Sequence, residues 1–295
     1  MHEAYTPLGW LIGSAVSLHP GLRDGFRSRH FKGKVFITRF VRDPAPAGEY
    51  DCNGATFAID FGDQIQRAIY YGIYERHELA FLRGLARPGW TCVDIGANVG
   101  FFTVHLAKAV GPEGRVFAIE ASPGNFQRLE RNIALNRLGN VHARQAAITA
   151  EEGPVRFSLS PAVNSGWGRI GEFASAAGVI EVPGITFDAF ATAQGIDRVD
   201  LLKIDIEGHE LSFLEGARES LRRGVIKRIL VEYCGYSLEP KGITLAAYLS
   251  AFEAHGLRPA HLCLTEIAAA KAGTYEPRRS ILNLYFEHPS VAGGA

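Results

Sequence analysis

The sequence holds little that would staple, anchor or charge it. Its four cysteines, Cys52, Cys92, Cys234 and Cys263, are scattered through 295 residues. None forms a Cys-x-x-Cys pair or a Cys/His cluster of zinc spacing, and a chain this long buries a core without disulfides. The expectation is reduced thiols, a cytoplasmic protein and no metal site. Net charge is missing as well: 31 basic residues balance 31 acidic ones, with no conspicuous run of one sign. That balance gives no electrostatic reason to expect nucleic acid or an anionic membrane as a partner. Long apolar runs are absent too. The stretch "GWLIGSAVSLHPG" near the N-terminus is mildly apolar, but Ser and His interrupt it and no basic residue precedes it. It is too short to span a bilayer and a poor secretion signal, so no integral membrane segment is expected. It reads instead as an amphipathic segment that docks on the body or on a partner. Internal repeats and low-complexity segments are also lacking.

What is present falls into two regimes. Up to residue 64 the pattern is irregular, with short β-like runs such as "KVFITRFV" and a break at "RDPAPAGEYDCNG". This predicts an N-terminal extension over residues 1–64 that packs on a main domain over residues 65–295, and it is the expected surface for any homo-oligomer. From Ile65 the chain reads as helix to "ARPG", after which strands and helices alternate. "WTCVDI", "GRVFAIEA", "NVHARQAAI", "VDLLKIDIEG" and "IKRILVEYC" are apolar strand runs, and "RPAHLCLT" and "RSILNLYFEH" follow as the last two. Gly111 closes the helix after the first strand. The helix after the second has Ser122 as N-cap, Pro123 at its first position and Gly139 as its stop. "GPVRFSLS" reads as an added strand or hairpin arm. This alternation predicts an α/β fold, a mostly parallel sheet with helices on both faces. Ligands of such sheets bind beyond the carboxyl ends of the strands, where strand order reverses.

The polar residues at those strand ends are therefore the candidate site. In "VDIGANVGFF", Gly96 and Gly100 flank a helix start, where bare backbone and unpaired N–H groups suit close approach of a negatively charged ligand. The dinucleotide fingerprint G-x-G-x-x-G is not present, and G-x-x-x-G alone serves equally as a packing device. Glu120, ending the second strand, supplies a carboxylate able to accept both hydroxyls of a ribose. The plain alternative is an acid favoured by the dipole of the helix starting at Ser122. The order strand, glycine turn, helix, strand, acid favours the ribose.

"D-I-G-A-N-V-G" followed by "F-A-I-E-A-S-P" resembles the first two motifs of class I methyltransferases that use S-adenosylmethionine. The resemblance implies a Rossmann-like methyltransferase fold with a seven-stranded sheet, and S-adenosylhomocysteine as product. Gly96 and Gly100 would pass beside the methionine part of the cofactor, and Asp94 and Asn98 would lie near its amino and carboxylate groups. Glu120 would hold the ribose, and Gln145 or Ala146 would lie near adenine.

"LLKIDIEGHE" carries the rest. Lys203 and Asp205 share one face of the fourth strand, and a lysine inside a covered sheet needs a paired charge. In the methyltransferase sheet order, Asp94 and Asp205 are both available to it. Glu207 and Glu210 complement the next helix N-terminus. His209, at the positive end of that helix, is expected to stay neutral, as a catalytic base or as a structural hydrogen-bonder. Together with "GIYERHELAFLRGL", "ITFDAF" and "GIDRVDLLKIDIEGHELSFLEGA", the pattern resembles the FkbM-type methyltransferases from about Asp60 to Glu232.

The resemblance implies methyl transfer to a hydroxyl oxygen of a small molecule, sugar, polyketide or lipid-linked glycan. An alcohol must lose its proton, and the candidate bases are His209, then Asp205, then Glu232. Tyr71, Tyr74 and Glu75 precede the first strand as candidates to fold over the cofactor, with helix packing the alternative for a tyrosine. Asn164 and Trp167, in a long glycine-rich loop, are the candidate acceptor contacts. Two other classes stand against this reading: an inactive cofactor-binding scaffold, and a nicotinamide oxidoreductase, which the missing fingerprint disfavours.

Overall fold

The computed structural model describes residues 6–18, 20–28, 34–173, 176–275 and 281–291. Three helices, Thr6–Leu18, Pro20–Ser28 and Lys34–Ile37, lead into a hairpin of β1 (Ala47–Asp51) and β2 (Thr56–Asp60). Helices Gln64–Tyr70 and Arg76–Leu85 follow. The chain then alternates β3 (Thr91–Ile95), helix Phe101–Val110, β4 (Arg115–Glu120), helix Pro123–Leu135 and β5 (Val141–Gln145). Four strands come next, β6 (Ala147–Ile148), β7 (Gly153–Leu159), β8 (Arg169–Ile170) and β9 (Gly178–Ile185). The last four are β10 (Leu201–Ile204), β11 (Arg228–Cys234), β12 (Arg258–Pro259) and β13 (Ile281–Glu287).

Seven strands form one sheet in the order β12-β13-β11-β10-β3-β4-β5. Six of them run in one direction, and β13 alone is reversed, antiparallel to both neighbours. The chain builds outward from β3 through β4 to β5, then returns to β10 on the other side of β3. Strand order therefore reverses between β3 and β10, and a crevice opens at their carboxyl ends.

Side-chain alternation splits the core in two. Val93, Ile95, Leu202 and Ile204 face one cluster with helices Phe187–Ala193, Glu210–Gly216 and Leu245–Glu253. Cys92 and Leu201 face the other, with helices Arg76–Leu85 and Phe101–Val110 and the hairpin residues Phe57 and Ile59. The hairpin is thus built into the second core. Asn132 fastens it further: its Oδ1 accepts from Ala58 N at 2.9 Å while its Nδ2 donates to the Val99 carbonyl at 2.7 Å.

Four local expectations change. The single helix expected from Ile65 is two, separated by Gly72 and by Glu75 at φ 34°. The helix after β4 stops at Asn136, not Gly139. Asn136 turns its amide to the Thr56 and Asn132 carbonyls, and Arg137 takes the left-handed conformation at φ 53°. The expected added strand is a separate four-stranded sheet, β6-β9-β7-β8. "RPAHLCLT" keeps only two strand residues before helix Leu264–Lys271 begins. Among the described residues no helix is long and apolar enough to cross a membrane.

Candidate active site

The turn after β3 is shaped by contact with β10. Gly96 and Ala97 donate their N–H groups to the Ile119 carbonyl at 2.9 and 3.0 Å, and Asp205 N donates to the Ile95 carbonyl at 3.0 Å. A Cβ on Gly96, at φ 80°, would stand 1.8 Å from the Asp205 carbonyl oxygen. Only glycine allows the two strand ends to close there. Gly100, at φ 86°, serves packing: its missing Cβ leaves room for Leu129, 2.6 Å away, and it does not line the cleft.

Glu120 joins the two loops. Its Oε2 accepts from Asn98 N and its Oε1 from Ser122 N, both at 2.8 Å. It is 6% exposed and reaches the cleft wall. A carboxylate offers about four acceptor sites, so two remain for a pair of hydroxyls. Burial pushes its pKa up to about 7, against the two N–H donors that favour the charged form. Asn98 Oδ1 and Ser165 Oγ are buried without a partner, and both residues line the same cleft. Unsatisfied oxygens beside a glycine turn and a diol-competent carboxylate fit a nucleoside carrying amino and hydroxyl donors.

Beneath the cleft, Lys203 donates to Asp205 Oδ2 at 3.1 Å and lies 4.6 Å from the centre of the Phe102 ring. Burial opposes its charge, but Asp205, then Glu75 and Asp94, outweigh burial and raise its pKa. Asp94 accepts from Thr103 Oγ1 at 2.6 Å and is buried away from the cleft.

Above the lysine, Tyr74, Glu75, Asp205, Glu207 and Glu232 line the cleft. Burial raises Glu75 to about 7, Glu207 to about 8 and Glu232 to about 10, and the carboxylates around Asp205 add to each shift. Glu210 is turned away from this group. Its Oε1 accepts from Ile206 N and Gly208 N and so caps the turn.

The loop after β7 closes the opposite wall. Asn164 caps the short turn Ser165–Trp167 by accepting from Gly166 N, and Asn125 Nδ2 donates to the Ser165 carbonyl. Trp167, 57% exposed, stands between this cleft of about 150 Å³ and a second cavity of about 400 Å³. Trp167, Arg169, Glu207 and Glu232 line both. The Arg169 guanidinium stacks on Phe173 at 3.5 Å.

Gly96, Asn98, Glu120, Asp205 and Glu232 from the strand ends, Glu75 from the segment before β3, and Asn164 and Trp167 from the loop after β7 all line this one cleft. Others do not. Tyr71 is fully buried and donates to Asp43 Oδ1 at 2.9 Å, because the end of helix Gln64–Tyr70 turns it toward the segment before β1; Tyr74 takes the cleft position. Gln145 and Ala146 stop short of the wall, since Ala146 N bonds the Glu120 carbonyl and the chain then turns so that Ala147 and Ile148 face the cleft. His209 lines neither cavity. Its Nε2 meets the Ile170 carbonyl at 3.1 Å, tying β8 to helix Glu210–Gly216, and burial followed by Lys241 lowers its pKa.

Sequence reasoning missed Asn125, Glu207 and the second cavity. Asn125 had a signal, because Asn125, Leu129, Asn132 and Asn136 recur on one helix face, and the first three are buried. Sequence reasoning also did not name a grouping of possible ligand atoms at the strand ends. Glu207, Glu232 and Cys234 bring one potential ligand atom each within 4.8 Å of the others. Neighbouring strand-end turns assemble that group, so no sequence spacing announces it.

Residues 94–258, more than half of the chain, match the family described as Methyltransferase FkbM domain. The methyltransferase sdnD of Sordaria araneosa is 27% identical over 51% of this chain and 67% of its own length. The hexuronic acid methyltransferase AglP of Haloferax volcanii is 27% identical over 51% of this chain and 58% of its own. The chain thus spans little more than half of the second relative. Aeropyrum pernix fibrillarin with bound S-adenosyl-L-methionine aligns over 83% of this chain and 84% of that one, at 13% identity and a TM-score of 0.44. The match that starts at Asp94 and takes in both glycines, Glu120, Asp205 and Glu232 places the chain in the FkbM methyltransferase domain family, whose methyl donor is S-adenosylmethionine.

Proposed function

We propose that this chain transfers a methyl group from S-adenosylmethionine to a hydroxyl oxygen of a small-molecule or glycan acceptor, through a domain beginning near residue 65. One observation carries the reading: two cavities share Trp167, Arg169, Glu207 and Glu232, so a donor in one and an acceptor in the other meet at that wall.

When bound, the cofactor supplies a methyl group already activated on a positively charged sulfur. The chain's task is then to hold, orient and deprotonate. Glu120 takes the ribose hydroxyls on its free lone pairs. Asn98 Oδ1 and Ser165 Oγ accept or exchange hydrogen bonds with the rest of the cofactor. Gly96 keeps the backbone close, and Tyr74 and Glu75 cover it from the helical side. A cation beside Glu75, Asp205, Glu207 and Glu232 favours their ionised forms. Glu232 then takes the proton of the acceptor hydroxyl on a carboxylate oxygen. It stands ahead of Asp205, whose Oδ2 is held by Lys203, and ahead of His209, whose Nε2 is held by Ile170.

The acceptor chamber pairs an exposed indole with a guanidinium propped on Phe173. That combination suits a sugar ring bearing a carboxylate, in keeping with the name of the Haloferax relative. Calorimetry with S-adenosylmethionine, S-adenosylhomocysteine and NAD, then transfer of labelled methyl to a panel of glycosides, uronides, macrolides and lipids, tests the reading. Label on a hydroxyl oxygen supports it. Binding of NAD alone overturns it.

A further inference from the structure

We infer that the three N-terminal helices form a docking surface for an anionic lipid bilayer, lying on the membrane rather than crossing it. The inference does not rest on the methyl-transfer reading.

The chain's zero net charge conceals a separation. Residues 20–42 carry seven basic side chains, Arg23, Arg27, Arg29, Lys32, Lys34, Arg39 and Arg42, against the single acid Asp24. That segment holds a net charge of +6, so the rest of the chain holds −6. Directly before it, helix Thr6–Leu18 has no charged residue. Its inner face is spoken for: Gly13 packs so tightly on Phe40 that a Cβ would lie 2.6 Å from the Phe40 Cβ, and Val16 is buried. Its outer face carries Leu11, 59% exposed, and Ala15 one turn on.

The other two helices repeat the arrangement. Leu22 is 52% exposed and Val35 61%. The three helices and the turn after them make one unit, since Ser17 Oγ accepts from Arg42 N at 2.6 Å and Arg23 donates to the Ser17 carbonyl at 2.7 Å. Arg27 fastens this unit to the body through the Tyr70 carbonyl, and Lys34 turns inward onto the Arg27 carbonyl of the unit itself. Arg39 and Arg42 stay exposed.

One unit exposing both apolar side chains, Leu11, Leu22 and Val35, and arginines, Arg39 and Arg42, offers a partner for each layer of a lipid interface, acyl boundary and anionic headgroup. The geometry excludes a span: 13 helical residues reach about 20 Å, against a hydrocarbon core of about 30 Å. A two-fold interface between two copies would set the cationic segment against itself. Nucleic acid would satisfy the arginines and leave Leu11, Leu22 and Val35 in water.

The test is cosedimentation of the full chain with phosphatidylcholine vesicles containing 30% phosphatidylglycerol, and with pure phosphatidylcholine vesicles. Expected is binding to the anionic vesicles only. Arg39→Ala with Arg42→Ala should weaken it roughly twenty-five-fold, at about fivefold per basic residue. Leu11→Ser with Leu22→Ser and Val35→Ser should weaken it at least tenfold, with the thermal midpoint and S-adenosylmethionine affinity unchanged. No retention on anionic vesicles overturns the inference, as does retention that neither variant reduces. Two other results overturn it in favour of a different occupant. One is a dimer in sedimentation velocity that the leucine variant dissociates; the other is binding to poly(U) RNA that the arginine variant abolishes while vesicles are ignored.

Discussion

Lys203 and Asp94 lie directly opposite one another on adjacent parallel strands, yet the lysine's hydrogen bond goes along its own strand to Asp205, 3.1 Å away. Asp94 takes its hydrogen bond from elsewhere: its Oδ2 accepts from Thr103 Oγ1, while its buried Oδ1 accepts none. One buried cation thus stands under Asp94, Asp205 and Glu75 without being consumed by any single one. It holds the floor of the cleft while leaving the carboxyls above it short of positive charge.

Removing that cation should cost stability in a pH-dependent way. Lys203→Met leaves Asp94 and Asp205 without compensation, and breaking a buried pair from one side costs about 3–5 kcal/mol. The loss should be largest near pH 8 and smaller at pH 5, toward which Asp94, its pKa raised by burial, takes up a proton. Urea denaturation at the two pH values measures it. Adding Asp205→Asn should restore much of the loss. Equal destabilisation at both pH values would show that Lys203 acts through packing on Phe102 rather than through charge.

The two glycines of the first turn should separate cleanly. Gly96→Ala places a methyl group 1.8 Å from a backbone oxygen that has nowhere to go, so soluble folded protein and cofactor binding should both be lost. Gly100→Ala meets the flexible end of Leu129, for an overpacking cost of about 1–3 kcal/mol, plus strain at its positive φ. Expression yield and denaturation midpoints rank them. A milder effect at Gly96 would sink the close-approach argument.

The contrast between these glycines shows what was legible in the sequence. Strand ends follow from apolar runs, and the switch-point rule then places Gly96, Glu120, Asp205 and Glu232 without coordinates. Which of two neighbouring residues faces the cleft depends on local phase. The left-handed Glu75 breaks the helix and gives the cleft to Tyr74 instead of Tyr71. Glu207, at φ 53°, turns toward Glu232 by a conformation that non-glycine residues rarely announce. The second cavity lies between elements far apart in the chain, β7, β8, β11 and β13, and no local pattern encodes it.

The carboxyl cluster should make the unliganded protein lose stability as pH rises. Glu75, Glu207 and Glu232 have folded values near 7, 8 and 10, above their ordinary 4.5. For acids shifted upward, the stabilisation is complete below about 4.5 and is lost as pH rises through the folded values. Glu232→Gln removes the most shifted member. Its thermal midpoint should therefore fall less between pH 5 and 9, and at pH 9 exceed the parent by roughly 2–4 °C for each kcal/mol recovered. Thermal scans across that range decide it; parallel curves for the two proteins would refute the assignment.

Glu120 and Glu232 should differ in what they recognise. Ribose is common to S-adenosylmethionine and S-adenosylhomocysteine, whereas only the former carries a positive sulfur. Glu120→Gln keeps one acceptor oxygen for the two backbone N–H groups it now clamps, and loses the diol contact. It should weaken both ligands by tenfold or more and by the same factor, with a modest drop in thermal midpoint. Glu232→Gln removes a negative charge from the methyl-transfer wall. It should weaken S-adenosylmethionine more than S-adenosylhomocysteine, and increasingly so from pH 7 to 9 as the parent carboxyl ionises. Calorimetric Kd values for the two ligands give the ratio directly. A Glu120→Gln protein that binds both ligands like the parent would remove the ribose from Glu120, and would leave its two N–H bonds as its whole role.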